Sequence, residues 1–323
     1  GYKIIYLDGV ATNTGVYDIT SDLNIDDLTV NNLIVKESLD VNGTIKLDGN
    51  YPVGTDNVAL GNTALDSVEA GGINNVAIGD NAGTAITTGD GNVAVGKDAL
   101  SANTTASNNT AVGLCSMALN TTGALNTAVG QTSLKSNTEG SCNTAMGGLA
   151  LNANTTGGCN TAFGVCTLKA NTTGHSNVAI GVCALDTNTT GTVNTAIGLR
   201  ALQLNTEGAS NVAIGNAMET NTTGSNNTAA GNGALQSNTT ASGNTAFGRI
   251  ALAANTTGAN NVGVGFCALR ISTTGSGNTS VGACSLCHNS TASNNTAVGF
   301  CSLHENTTGT QNSALGHESL GSN

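Results

Sequence analysis

The apolar positions of this chain fall into columns. Aligned on the asparagine of "N[TV]A-apolar-G", the sequence restarts at Asn57, Asn75, Asn92, Asn109, Asn126, Asn143, Asn160, Asn177, Asn194, Asn211, Asn227, Asn244, Asn261, Asn278, Asn295 and Asn312. These 16 starts are 17 residues apart, except for 18 after Asn57 and 16 after Asn211; the last copy is the variant "NSALG". A fixed short period predicts a solenoid, in which each repeat covers the apolar face of its neighbour. A unit of 17 residues cannot hold two helices and their turns. Its β-branched residues, Gly and Asn favour strands and turns. The expected unit is one β-coil: a strand at "TAVG", a corner, a second strand near "ALxx", and a corner at "NTTG". Coils paired in parallel at about 4.8 Å would build a rod roughly 75 Å long.

Two columns are expected to form the core. The fourth repeat position holds Leu60, Ile78, Val95, Val112, Val129, Met146, Phe163, Ile180, Ile197, Ile214, Ala230, Phe247, Val264, Val281, Val298 and Leu315, and is never polar. The ninth is nearly always Leu, as at Leu100, Leu134, Leu168, Leu202, Leu235, Leu269 and Leu303. Burying one such side chain contributes about 1.5–3 kcal/mol, while ordering each backbone residue costs about 1–2 kcal/mol. So thin a core points to partner chains. The third position is Ala except at Gly263 and Ser280. Such a column implies close approach of another wall, either within the same chain or on a neighbouring subunit.

The segment 1–56 has a different rhythm. Apolar pairs at Leu23/Ile25, Leu28/Val30, Leu33/Val35, Leu39/Val41 and Ile45/Leu47 recur every five or six residues. They read as short alternating strands kinked at "NN" and "NG". Six residues are too few for one chain to close a coil. Three chains giving six each would make about eighteen per turn, close to the coil that follows. This spacing predicts an intertwined connector and a homotrimer; a meander of short strands within one chain is the other reading. The segment is the more acidic one, with 9 Asp/Glu against 3 Lys.

Composition narrows the function classes. Charged residues are 9% of the chain, against about 25% in ordinary domains. Aromatics are 2%, Gly 44 of 323 and Pro 1. Disorder favours Pro, Glu and Lys, whereas here the hydrophobic 38% is regularly placed. Net charge is −11 and no basic run occurs, which argues against nucleic acid. No apolar run approaches the ~20 residues of a membrane helix, and no signal peptide is recognisable. The chain starts at Gly1 and its last repeat stops short at Asn323, so it is expected to be processed or part of a longer protein.

Several motifs carry potential chemistry. Cys115, Cys166, Cys183, Cys267, Cys284 and Cys301 occupy the seventh position, Cys142 and Cys159 the seventeenth, and Cys287 stands apart. Neighbours one coil apart would have Cα atoms near 4.8 Å, inside disulfide range. A small side chain in a tolerant column explains them as well, since Asp98, Arg200 and Glu318 share the seventh position. "CSLCH" (284–288) contains a CxxC, but no second pair completes a zinc site. The "NTTG"-like corners include ten Asn-x-Ser/Thr sequons, at Asn103, Asn120, Asn154, Asn171, Asn188, Asn221, Asn238, Asn255, Asn289 and Asn306. They read as glycan acceptors in a secretory pathway, or as corner chemistry in which Asn takes a left-handed φ. The first-position Asn residues are expected to stack as an amide ladder. His175, His288, His304 and His317 lie in different columns or distant coils, and no catalytic motif stands out. The sequence therefore assigns no catalytic, cofactor-binding or metal-binding residue, no cofactor and no enzyme activity.

The repeat "NTAVGxxALxxNTTG" resembles repeats of viral and bacteriophage fibre proteins. It is also similar to the "NSVAIG"-type repeats in the heads of trimeric autotransporter adhesins, and "LTVNNLIVKESLDVNGTIKLDG" looks like the collar or triple-β stretches that precede fibre shafts. This resemblance implies an all-β, left-handed parallel β-roll assembled as a homotrimer, with residues 1–56 as connector and 57–323 as shaft. It differs from the adhesin heads in its longer 17-residue unit, and it lacks the "HxH" that ligates metal in some fibre tips. The implied function is a virion fibre shaft. It would join other fibre or tail proteins at its ends and project a receptor- or glycan-binding tip carried by a further domain, without membrane or nucleic-acid contact. The alternative is an extracellular adhesin head that binds host cells or matrix itself. A minor alternative is an ice-binding solenoid, suggested by the Thr columns. For direct binding, Phe266, Phe300 and the short coil 211–226 are the places to look, with a local bulge expected near Met218.

Overall fold

A computed structural model describes residues 54–321. The connector expected over 1–56 lies, but for residues 54–56, outside the described residues. So do the apolar pairs that argue for a trimer.

From Asn57 onward the chain is an all-β parallel solenoid with a 17-residue period and, among the described residues, no helix. Each coil contributes one three-residue strand, from β1 (Val58–Leu60) to β16 (Ser313–Leu315). The 16 strands form a single parallel sheet in sequence order. Register follows the repeat: in β7 (Thr161–Phe163) and β8 (Val178–Ile180), Thr161 pairs with Val178, Ala162 with Ala179 and Phe163 with Ile180. The pairing continues across the shorter coil, where Val212 meets Thr228.

The second wall is not the strand expected near "ALxx". Its backbone alternates in hand instead. In the coil that starts at Asn177, Cys183 (φ 57°) and Leu185 (φ 53°) are left-handed, and the same two positions are left-handed in nearly every coil. The two left-handed residues send their N–H groups to the neighbouring coils: Cys183 donates to Val165 in the coil before and Leu185 to Ala201 in the coil after, each at 3.0 Å, while Ala184 between them donates to Gly181 in its own coil. A left-handed leucine costs roughly 1–2 kcal/mol. Inter-coil hydrogen bonds and burial of the leucine offset that cost. At the fifth position glycine is required. Gly181 has φ 124°, and a Cβ there would lie 2.5 Å from the carbonyl oxygen of Gly198.

The core corrects the sequence expectation. Alternate strand residues face opposite sides, and it is the third-position alanine that faces in. Ala162, Ala179, Ala196 and Ala213 are fully buried against the ninth-position column, including Leu168, Leu185, Leu202 and Met218. The wall that the alanines approach therefore belongs to the same chain. The fourth position necessarily faces out. Leu60, Ile78, Phe163, Ile180, Ile197, Ile214, Phe247, Val281 and Leu315 are exposed on the single chain, and Val95, Val112, Val129, Met146, Val264 and Val298 are half-buried. The inter-wall gap admits a methyl group but not a phenyl ring: a Cβ on Gly263 already sits 3.3 Å from Leu252 Cδ1.

Local departures are compensated. In the coil at Asn75 the ninth position is Gly83, and buried Ile86 fills the space; a Cβ on Gly83 would lie 3.0 Å from Ile86 Cδ1. The short coil drops its seventh position. Gly215 closes to φ 87° where the other fifth-position glycines span 118–138°, and Met218 still occupies the buried column. The deletion thus tightens one corner in place of the bulge expected near Met218.

Candidate functional site

Three features stand out among the described residues: buried asparagine ladders, an outward apolar face, and a cluster of Cys, His and Glu near the C-terminal end.

The first-position ladder is continuous. Between every successive pair from Asn57 to Asn312, the backbone N–H of one Asn donates to the side-chain Oδ1 of the Asn one coil before, at 2.8–3.0 Å. A second ladder runs through the twelfth position. Asn188 Nδ2 donates to Asn171 Oδ1 and to the Gly191 carbonyl, and Asn205 Nδ2 donates to Asn188 Oδ1. The ten corner sequon asparagines all belong to this second column and are at most 1% exposed. Their amides are consumed in structure, which favours the structural reading of the sequons. The reason differs from the expected one: these asparagines do not take a left-handed φ. The ladder breaks once, at Ser272, leaving Asn255 Oδ1 and Ser272 Oγ buried without a partner.

The outward sheet face carries the fourth position along the full stack, with Thr, Val or, at Ser313, Ser at the second position beside it. Ile78, Phe163, Ile180, Ile197, Ile214 and Phe247 are 38–47% exposed. At about 4.8 Å per rung the strip is about 70 Å long. Monomeric proteins rarely expose contiguous apolar patches above a few hundred Å². Around the corner, the sixth position exposes Val165, Val182, Leu199, Phe266 and Phe300. There Arg249 lies 5.8 Å from the Phe266 ring centroid, and His317 stacks on Phe300 at 5.2 Å.

All nine cysteines are free thiols. Seventh-position thiols of successive coils are neighbours in the stack, Cys166 with Cys183, and Cys284 with both Cys267 and Cys301. Burial pushes the thiols of Cys183, Cys267, Cys287 and Cys301 above their ordinary pKa, with neighbouring thiols adding to it; at Cys287 the Arg270 guanidinium opposes the rise.

The CxxC motif does not assemble a site, because Cys284 and Cys287 fall in different columns. Stacking assembles a different group. Cys287 and His304 share the tenth position of successive coils, and His288 and Glu305 share the eleventh. One donor atom each from Cys287, His288 and His304 lie within 4.8 Å of one another. The imidazoles meet edge to face, 4.6 Å apart. His304 Nδ1 is 2.7 Å from Glu305 Oε1, and His288 Nδ1 is 3.2 Å from the His304 carbonyl and 3.6 Å from Glu305 Oε1. Column-by-column inspection of the sequence separates His288 from His304, yet they are diagonal neighbours. Writing the sequence in 17-residue rows and reading adjacent columns would have found them.

No protein-family model, no curated protein and no solved structure matches the chain.

Proposed function

We propose that the chain is a structural fibre segment in which three copies associate through the outward sheet face. In this reading it is a non-enzymatic virion or extracellular component that holds a receptor-binding tip away from a particle. It joins other fibre or tail proteins at its ends, and the tip is carried by a further domain. The observation that carries the reading is the fourth-position column, apolar in every coil and turned outward. A second copy has the same rise per coil, so its ladder stays in step along the whole length. No irregular partner surface offers that match.

The test is the native mass of the full chain by analytical ultracentrifugation, with negative-stain microscopy for shape. A three-chain mass and a rod are expected. A monomer at micromolar concentration overturns the assembly.

The adhesin reading draws on the sixth-position column, where Arg249–Phe266 and Phe300–His317 break the repeat with exposed rings. It requires that the full chain bind cells or matrix by itself and lose that binding in Phe266→Ser/Phe300→Ser. Ice binding is disfavoured by the corner geometry. The first Thr of most "TT" pairs faces its neighbour, as Thr121 Oγ1 donates to the Thr138 carbonyl at 2.9 Å. In most coils only the second Thr, such as Thr122, is exposed; both are exposed at Thr104/Thr105 and Thr307/Thr308, so no continuous flat two-Thr array forms.

A further inference from the structure

We propose that Cys287, His288 and His304 bind a borderline divalent cation, with zinc as the fitting ion and Glu305 as the residue that orients His304. One thiolate and two imidazoles suit zinc, which takes Cys and His at about 2.0–2.3 Å in tetrahedral sites and leaves a fourth position for water or a carboxylate. The three donors already lie within 4.8 Å of one another before any ion draws them in.

The frame around them is fixed by the stack. His288 N–H donates to the His304 carbonyl at 3.1 Å, Leu286 N–H to Ser302 at 3.0 Å and Glu305 N–H to Gly321 at 3.1 Å. The two coils are therefore held in register, and the donors cannot drift apart by more than side-chain rotation. Metal-bound histidines ordinarily give their other ring nitrogen to a carboxylate or carbonyl. Here His304 Nδ1 meets Glu305 and His288 Nδ1 meets the His304 carbonyl. Both Nε2 atoms are left for the ion.

An independent observation comes from the coil before. Arg270 occupies the tenth position directly ahead of Cys287, one rung away in the stack. Its Nε is buried with no hydrogen-bond partner among the described residues. A thiolate at Cys287, one rung on, would offer it an acceptor. Metal binding expels the thiol proton, so ligation would satisfy the arginine as well as the sulfur. A surface His–Glu pair without metal leaves Arg270 unexplained.

The site is independent of the fibre reading, since all of its residues belong to one chain. The test uses the full chain with Cys142→Ser and Cys159→Ser, which removes two exposed thiols, and adds cobalt(II) chloride followed by zinc chloride. One cobalt per chain is expected, with a thiolate charge-transfer band in the near ultraviolet and the strong visible bands of tetrahedral cobalt. Zinc should displace both. Cys287→Ser should abolish the near-ultraviolet band, and Glu305→Gln should weaken binding about 10- to 100-fold. Cys284→Ser should leave both unchanged. Far-ultraviolet circular dichroism of each variant separates lost ligation from lost folding. Absence of stoichiometric cobalt binding overturns the proposal, as does a band that survives in folded Cys287→Ser.

Discussion

At the scale of single residues, the molecule is governed by which polar groups are buried and whether each is paired. Asparagine is ordinarily a surface residue, yet here two columns of it run through the interior. Each amide donates and accepts along the stack, so the ladder is self-satisfying except where it is cut. Ser272 is the cut, and it predicts a stabilising substitution. Ser272→Asn supplies a donor to Asn255 Oδ1 and an acceptor to Asn289 Nδ2, which now bonds only the Ala292 carbonyl in its own coil. The gain should be about 1–3 kcal/mol, read as a higher urea midpoint with unchanged slope. A neutral or destabilising result would show that a serine-sized gap is already relaxed.

The cysteines carry a second residue-scale prediction, with a definite sign. Burial raises the thiols of Cys183, Cys267, Cys287 and Cys301 above the ordinary value of 9.0. Below that pH both states are protonated and the thiols leave stability unchanged with pH. Above it the unfolded chain ionises first and binds fewer protons, so stability falls as pH rises. Melting temperature should drop more steeply above pH 9 in the wild type than in a variant with all four changed to Ser. Parallel curves would remove the thiols from the account.

At the scale of elements, each coil is a single short strand joined to a wall of alternating backbone hand. The wall explains why a strand is a reasonable expectation at "ALxx" and why none forms. Residues alternate in facing, as a strand requires, but the alternation comes from φ values of opposite sign. Local propensity cannot reveal this, because leucine disfavours a left-handed φ; only the stacked hydrogen bonds make it affordable. The corner glycines are stricter still. Gly181→Ala would combine φ 124° with a Cβ 2.5 Å from the Gly198 oxygen. A loss of about 3 kcal/mol or more is expected. Amide exchange should rise first in the coils around residue 181, since solenoid repeats are coupled mainly to their neighbours. Uniform loss of protection along the whole stack would mean a more cooperative molecule than this picture allows.

At the scale of the whole molecule, the chief consequence is a long apolar strip with nothing over it on the single chain. Introducing charge at three adjacent rungs, Ile180→Glu, Ile197→Glu and Ile214→Glu, should dissociate the proposed assembly. The side chains face out of the coil, so far-ultraviolet dichroism should be preserved. Sedimentation is the readout. An unchanged oligomer would move the interface to another face, and a collapse of the β signal would mean that the column stabilises the coil itself.

Much of this architecture was legible in one dimension. A 17-residue period is a statement about which residues become neighbours, and it determined the parallel stacking, the register and the Asn ladder at the first position. It also determined the buried Leu column. The facing of the strand was another matter. The sequence offers two nonpolar columns one residue apart, Ala and a larger aliphatic, and hydrophobicity favours the larger for the core. Three-dimensional closure of a 17-residue coil leaves room for one large side chain, contributed by the leucine wall, so the alanine turns in and the aliphatic column turns out. The Cys287–His288–His304 group likewise exists only after stacking. Seventeen residues of separation become one rung of about 4.8 Å, a distance that spacing within a motif cannot express.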